Sequence, residues 1–446
     1  MRNLEKMFNP KSIAIFGASD KANSVGYSLA INLSKYKDVY YINPRIKSLF
    51  SKKVYASIKE IPARNLDLAV IAIPNTAVAK VLEDLKQVNC KNVVLITSGF
   101  SEINNSTLTS QIEKIIKKEK VNLIGPNCFG IVNLEKNLNA TFNSNSLALP
   151  KCGNISIISQ SGALGSCFLD LLSNENLSLN KFISYGNSMD LDESDLLEYL
   201  ANDKKTQVIV CYIEGVKNGK KFYEVLNKIT KTKKVIILKG GRTISGTSAA
   251  KSHTAAIAGS CQVFKSVVKQ AGAYYVTSIS EMFNLAKIFS IYPKLEIKNI
   301  QIISNGGGFG VIAIDSLSEN KVELSKLSED SKKQIKSIVP LYASIANPLD
   351  LTGDADNERF VKAIEICLKD KNISSIGVLF LFQLSSITKD IIPLLTKLRD
   401  KYSTKPIFII GTGGDKTESM LKAFEKNNFV CFKDPKDLAE SLGLIK

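Results

Sequence analysis

Three times in this chain a short β-branched run ends in a turn of Gly, Ser or Asn and passes straight into an amphipathic helical pattern. The three segments are KSIAIFGASDKANSVGYSLAINL at 11–33, GNISIISQSGALGSCFLDLL at 153–172 and NIQIISNGGGFGVIAIDSL at 299–317. A period that changes from two to 3.6 across a tight turn marks a βα unit. Parallel strands need a crossover, and a helix supplies it, so a chain built by repeating this unit is confined to parallel sheets covered on both faces. Six further runs, LDLAVIAIP, KNVVLITSG, TQVIVCYIEG, KVIILKGG, SSIGVLFLF and KPIFIIG, alternate with helical patterns. The expected class is α/β with three doubly wound domains.

Boundaries follow from composition. Residues 133–153 lack sustained periodicity, and YPKLEIK at 292–298 separates a helical pattern from a new βα start. Domains are therefore expected at 1–135, 145–291 and 299–446, in line with the length of 446 residues. The amino-terminal lead-in has no apolar h-region, and no run reaches the roughly 20 apolar residues that span a bilayer, so the expectation is a soluble, cytoplasmic protein with no membrane partner. Eight cysteines, none as CxxC, and a single histidine leave no ligand set for zinc, so no metal site and reduced thiols are expected. The net charge of +17 is carried by lysines spread beside glutamates, without an arginine-rich tail or a nucleic-acid signature. Solvated helix faces are the reading, with phosphate-rich small molecules or an acidic partner chain as a second use for the excess charge.

In such folds ligands bind at the carboxyl ends of the strands. The first loop, Gly17 and Ser19 through Lys21 to Gly26, is not the GxGxxG dinucleotide fingerprint. Where an acidic residue would hold a ribose, the second strand ends in Asn43, Pro44 and Arg45, which suits a phosphorylated ribose; the alternative is a glycine that merely turns the chain. Later strand ends add Pro74, Ser98, Gly99 and Asn127 to the same expected cleft. Ser161, Gly162 and Ala163 open a helix whose backbone N–H groups could receive a phosphate. Ser161 as a nucleophile is disfavoured, because SQSGALG is not the GxSxG elbow and no second histidine exists to activate it.

Glu214 ends an apolar strand before glycine, and the next strand, KVIILKGGR, leads into the loop of His253. If the two strands are neighbours, a carboxylate stands beside an imidazole, fixing its tautomer and raising its basicity. His253 lies in AAKSHTAAIAGS, a bed of small residues with no apolar stripe to anchor it, so it reads as a mobile nucleophile rather than a core residue.

SHTAAIAGS with YIEG upstream, SQSGALG, GPNCFGIVN, ISNGGGFG and NPLDLTGDA, in this order, resembles the α subunit of ADP-forming (NDP-forming) acyl-CoA synthetases of the acetate–CoA ligase type, relatives of the succinyl-CoA synthetase α subunit. The resemblance implies a Rossmann-like coenzyme A-binding domain followed by two flavodoxin-like domains. It also implies that His253 carries phosphate, that Glu214 positions it, and that the Ser161–Ala163 turn steadies the phosphohistidine. Acyl-CoA and phosphate would give acyl phosphate and CoA, His253 would take the phosphoryl group, and ADP would receive it. No P-loop or ATP-grasp segment is found, so ADP or ATP with Mg2+ would be handled by a partner, an ATP-grasp β subunit in a heterotetramer of two α and two β subunits. One departure is Cys261, where the family commonly has Asp, and the expectation is a looser far end of the histidine loop. Alternatives on the same domains are a CoA-dependent protein acetyltransferase or a CoA-sensing regulator, and a dehydrogenase is weakened by the missing fingerprint.

Overall fold

The computed structural model of the protein describes residues 2–143, 148–246 and 260–445, and its contacts group into two compact units, Met1–Thr277 and Ser278–Lys446. The first unit holds two seven-stranded sheets. The first sheet consists of β1 (Ser12–Phe16), β2 (Asp38–Ile42), β3 (Ser48–Leu49), β4 (Lys52–Tyr55), β5 (Leu68–Ile71), β6 (Asn92–Leu95) and β7 (Asn122–Ile124). Their order is β3-β4-β2-β1-β5-β6-β7, parallel throughout except for β3 against β4. Strands β5 and β6 are buried at every residue, as expected where helices cover both faces.

The chain leaves β1 for β2 on one side and returns to β5 on the other, so the loops after β1 and β5 part and open a crevice. Gly17 sits at this reversal with φ +88°, and a Cβ there would lie 2.1 Å from the Ala72 carbonyl oxygen. Gly26 faces it across the turn, where a Cβ would meet the Gly17 oxygen at 2.0 Å. Neither position has room for a side chain.

The second sheet is built from β8 (Gly130–Asn133), β9 (Leu138–Thr141), β10 (Cys152–Ser159), β11 (Leu179–Ser184), β12 (Val208–Ile213), β13 (Lys234–Lys239) and β14 (Tyr274–Val276), in the order β14-β13-β12-β10-β11-β8-β9. Its reversal falls between β10 and β12. The hairpin β8–β9 joins antiparallel to β11, so the stretch 133–153, aperiodic in sequence, contains a strand. Four residues of LNAT are too few for a period to register. One apolar cluster runs from the first sheet, through Ile13, Val70 and Val94, into Ile131, Ile158 and Cys211 of the second, which makes the two sheets one unit.

The second unit contains β15 (Ile300–Ser304), β16 (Leu349–Asp350), β17 (Ser375–Leu379), β18 (Ile407–Ile410) and β19 (Val430–Phe432), all parallel in the order β16-β15-β17-β18-β19. Its own cluster, with Phe360, Phe380, Phe382 and Phe424 stacked at its centre, lies wholly within it. Helix Ile279–Ile291 packs here, with buried Lys287 reaching Glu425 at 3.7 Å.

Candidate functional site

At the reversal of the second sheet, β10 and β12 end side by side. After β10 the Gln160 N–H still bonds the Tyr212 carbonyl at 3.0 Å, and Ser161 then caps helix Gly162–Asn174 by accepting the Leu164 N–H at 3.3 Å. The Ser161 hydroxyl is thus engaged as a cap, while the first N–H groups of the helix have no carbonyl within it to meet.

Glu214 follows β12 and is 8% exposed. Gln160 Oε1 accepts from the N–H groups of Glu214 at 2.7 Å and Gly215 at 3.2 Å, and from the Tyr185 hydroxyl at 3.3 Å. Lys239 Nζ, from the end of β13, donates to the Glu214 carbonyl at 2.7 Å and to that of Gly240. Burial pulls the Lys239 ammonium below its ordinary pKa, against the opposing pull of Cys261 and Glu214. Of the carboxylate itself, Oε1 accepts from the Tyr212 hydroxyl at 3.3 Å, while Oε2 is buried with no hydrogen-bond partner among the described residues. Burial, and the charge of Glu214 beside it, push the Tyr212 hydroxyl up, so it remains a donor.

A cavity of about 910 Å³ joins this edge to the first sheet. It is lined by Pro74, Ser98 and Asn127 on one side and by Ser161, Gly162, Ala163 and Glu214 on the other. Seven of the residues singled out from the sequence therefore share one space. The others lie around the first turn: Asn43 Nδ2 bonds the Ala18 carbonyl at 2.8 Å, Arg45 N–H bonds Asn43 Oδ1 at 2.9 Å, and Ser19 Oγ accepts the Lys21 N–H at 3.1 Å. Pro44, Arg45 and Lys21 are exposed there, and none of these residues, nor Gly17 or Gly26, lines the cavity. Gly99 stands behind the wall, its N–H bonded to Glu102, which also accepts from Asn187. His253 lies outside the described residues. β12 and β13, the strands that precede Glu214 and the histidine loop, are parallel neighbours. Cys261 opens helix Cys261–Gln270 with its Sγ 3.4 Å from the Tyr275 hydroxyl, so it is tethered at the far side of that loop.

Sequence reasoning assigned no role to Gln160, Tyr185, Tyr212, Asn187, Phe129 or Phe142. For Gln160 a signal existed, a lone amide between a strand and a helix cap. The tyrosines carried none, since each reads as an ordinary apolar strand position.

Two doubly wound sheets opening on one cavity, with a helix amino terminus and a buried carboxylate at one side, define an α/β chain whose site lies at the carboxyl ends of its strands. Comparison with known families agrees: residues 11–133 match a CoA binding domain, 152–289 a succinyl-CoA ligase like flavodoxin domain and 300–420 a ligase-CoA domain. The chain is 35% identical to the α subunit of ADP-forming acetate–CoA ligase II of Pyrococcus furiosus, over 98% of this chain and 96% of that one. It is 43% identical to an ADP-forming acetate–CoA ligase of Methanocaldococcus jannaschii over 78% of this chain, spanning about half (49%) of that longer protein. Among solved structures it resembles the dinucleotide-forming acetyl-coenzyme A synthetase 1 of Ca. Korarchaeum cryptofilum in complex with phosphate and ADP, with a TM-score of 0.93, 32% identity, and coverage of 100% of this chain and 96% of that one. The chain belongs to the ADP-forming acyl-CoA synthetases.

Proposed function

We propose that this chain is the α subunit of an acetate–CoA ligase-type synthetase that interconverts acyl-CoA, ADP and phosphate with a carboxylic acid, CoA and ATP. Phosphate attacks the thioester carbonyl, the C–S bond breaks, and CoA leaves as the acyl phosphate forms. His253 then takes the phosphoryl group, the P–O bond to the acyl oxygen breaks, and the carboxylate departs. The phosphoryl group then passes from His253 to ADP, the P–N bond breaking as ADP accepts it and the imidazole is freed.

The observation that carries this reading is the buried, unpartnered Oε2 of Glu214 in a cavity shared with the start of helix Gly162–Asn174 and the loops of the CoA-binding region. A buried acceptor without a donor is unfavourable, and an imidazole N–H docking there would satisfy it. Glu214 would then fix one ring nitrogen and leave the other to phosphorus. The N–H groups of Gly162 and Ala163, which the Ser161 cap leaves free by taking that of Leu164, would receive the phosphoryl oxygens. In the first domain Gly17, Ser19, Lys21 and Gly26 would hold the pyrophosphate of CoA, with Asn43, Pro44 and Arg45 at its 3′-phosphoribosyl end. Pro74, Ser98, Gly99 and Asn127 would guide its arm towards the thioester.

The Mg2+ that accompanies ADP or ATP would come with the nucleotide on the ATP-grasp β subunit. Two copies of each chain would form the heterotetramer. No helix among the described residues is long and apolar enough to cross a membrane, and a cytoplasmic setting suits a reaction fed by CoA and ADP. The test is reconstitution with the partner and radiolabelled ATP. Wild type should hold acid-labile, base-stable phosphate and His253→Ala none; equal labelling of the two would overturn the reading.

A further inference from the structure

We infer that Phe129 and Phe142 form the wall against which the acyl group lies, and that Phe142 sets the size of acyl group admitted. The inference rests on the reading of the cavity given above. Both side chains line it, and their rings meet edge to face with centroids 4.7 Å apart. Phe129 stands in the turn between β7 and β8. A Cβ added to Gly162 would come within 3.2 Å of the Phe129 Cβ, so this aromatic borders the first residue of the helix whose N–H groups face the cavity. In an acyl phosphate one oxygen separates phosphorus from the acyl carbon. An acyl group whose phosphate meets Gly162 would therefore lie near Phe129, and Phe142 reaches the same place through its ring contact with Phe129. The other large apolar lining residues are Val25, which opens helix Val25–Asn32, and Ile73 and Ile96, which follow β5 and β6 of the first sheet.

The two rings differ in freedom. Phe129 is 5% exposed and wedged against Phe182 as well as Phe142, with ring centroids 6.1 Å apart for the first pair, so it is fixed. Phe142 follows the edge strand β9 and is only half-buried, so its outline can change without opening the core. Glu214 is the only charged side chain among the described residues lining the cavity, and its other polar lining residues, Gln160, Ser161 and Ser166 among them, are neutral. The two rings themselves offer only apolar bulk, and one methylene more or less against such a surface discriminates about tenfold or more.

The test is calorimetric titration of the chain with CoA, acetyl-CoA, isobutyryl-CoA and phenylacetyl-CoA. CoA has no acyl group and serves as the reference for each variant. Phe142→Ala should raise the affinity for phenylacetyl-CoA relative to acetyl-CoA about tenfold, and Phe142→Leu should move it the same way by less. Phe142→Trp should lower isobutyryl-CoA relative to acetyl-CoA by a similar factor. Should the alanine variant fail to fold, the leucine and tryptophan variants still decide, because they must shift in opposite directions. CoA binding intact with the acyl-CoA ratios unchanged in all folded variants would overturn the wall alone. Wild type that binds neither CoA nor any acyl-CoA would overturn the reading of the cavity itself, and the wall with it.

Discussion

Glu214 is held at its backbone by two neighbours and at its carboxylate by one, and the tightest of these contacts are to its backbone. Gln160 takes the N–H groups of Glu214 and Gly215, Lys239 takes the Glu214 carbonyl, and only Tyr212 touches the carboxylate. The side chain is thus aimed by its main chain, and its free oxygen is left for a ligand. Replacing Gln160 with Leu leaves two N–H groups at a buried loop without an acceptor, which should cost about 1–3 kcal/mol in urea unfolding. Gln160→Glu keeps an acceptor but buries a second carboxylate beside Glu214, so it should recover only part of that loss. Glu214→Gln keeps a partner for Tyr212 but removes the charge that would orient an imidazole, so rapid-quench phosphohistidine formation in the reconstituted enzyme should slow by roughly 10²–10⁴-fold. CoA binding should persist. The sequence made Glu214 conspicuous by its place between an apolar strand and glycine. It marked Gln160 only as a lone amide between a strand and a helix cap and was silent on its partners, because a hydrogen bond across 54 positions, such as that from the Glu214 N–H to Gln160, has no local pattern.

Helix starts and strand ends carry the remaining chemistry. Helix Glu193–Ala201 opens with a reciprocal cap between Asp192 and Asp195, yet its first residue, Glu193, is 1% exposed, and its Oε1 has no hydrogen-bond partner among the described residues. Burial first, and then the charge of Asp192, raise its carboxyl from 4.5 to about 7, against the pull of its own backbone N–H, Lys217 and Lys221. An unfolded chain releases that proton near 4.5 and the folded one near 7, so folding takes up a proton between them and stability falls as pH rises through this window, by on the order of 3 kcal/mol in all. Glu193→Gln should therefore match wild type in thermal melts at pH 5 and melt higher than wild type at pH 8. At the other reversal, Gly17→Ala places a Cβ 2.1 Å from the Ala72 oxygen at φ +88°, and should lower stability by about 1–3 kcal/mol and weaken CoA binding in titration calorimetry. That glycine was legible in sequence, since a turn between a strand and a helix asks for one. The hairpin β8–β9 was not, because an edge strand of four residues gives too short a pattern to outweigh its polar flanks.

Across the whole molecule, one apolar cluster around Phe380 is made only of residues of Ser278–Lys446, whereas the two sheets of Met1–Thr277 share another. Expressed separately, residues 278–446 should unfold as one cooperative transition by circular dichroism, while a cut near residue 145 should leave the first sheet with a bared apolar face and drive it to aggregate. Sequence alone determined the class of sheet, because a βα unit repeated with parallel strands admits few closures, and it picked out Glu214, His253 and the turn at Ser161 because strand ends and small-residue loops are local features. Only the tertiary structure decided which strand ends face each other. The order of strands places the reversals at β1/β5 and β10/β12, and the shared core then brings Pro74, Ser98, Asn127, Ser161 and Glu214 to one cavity. Their convergence depends on burying a common apolar face between sheets, a long-range gain in free energy that no window of sequence contains.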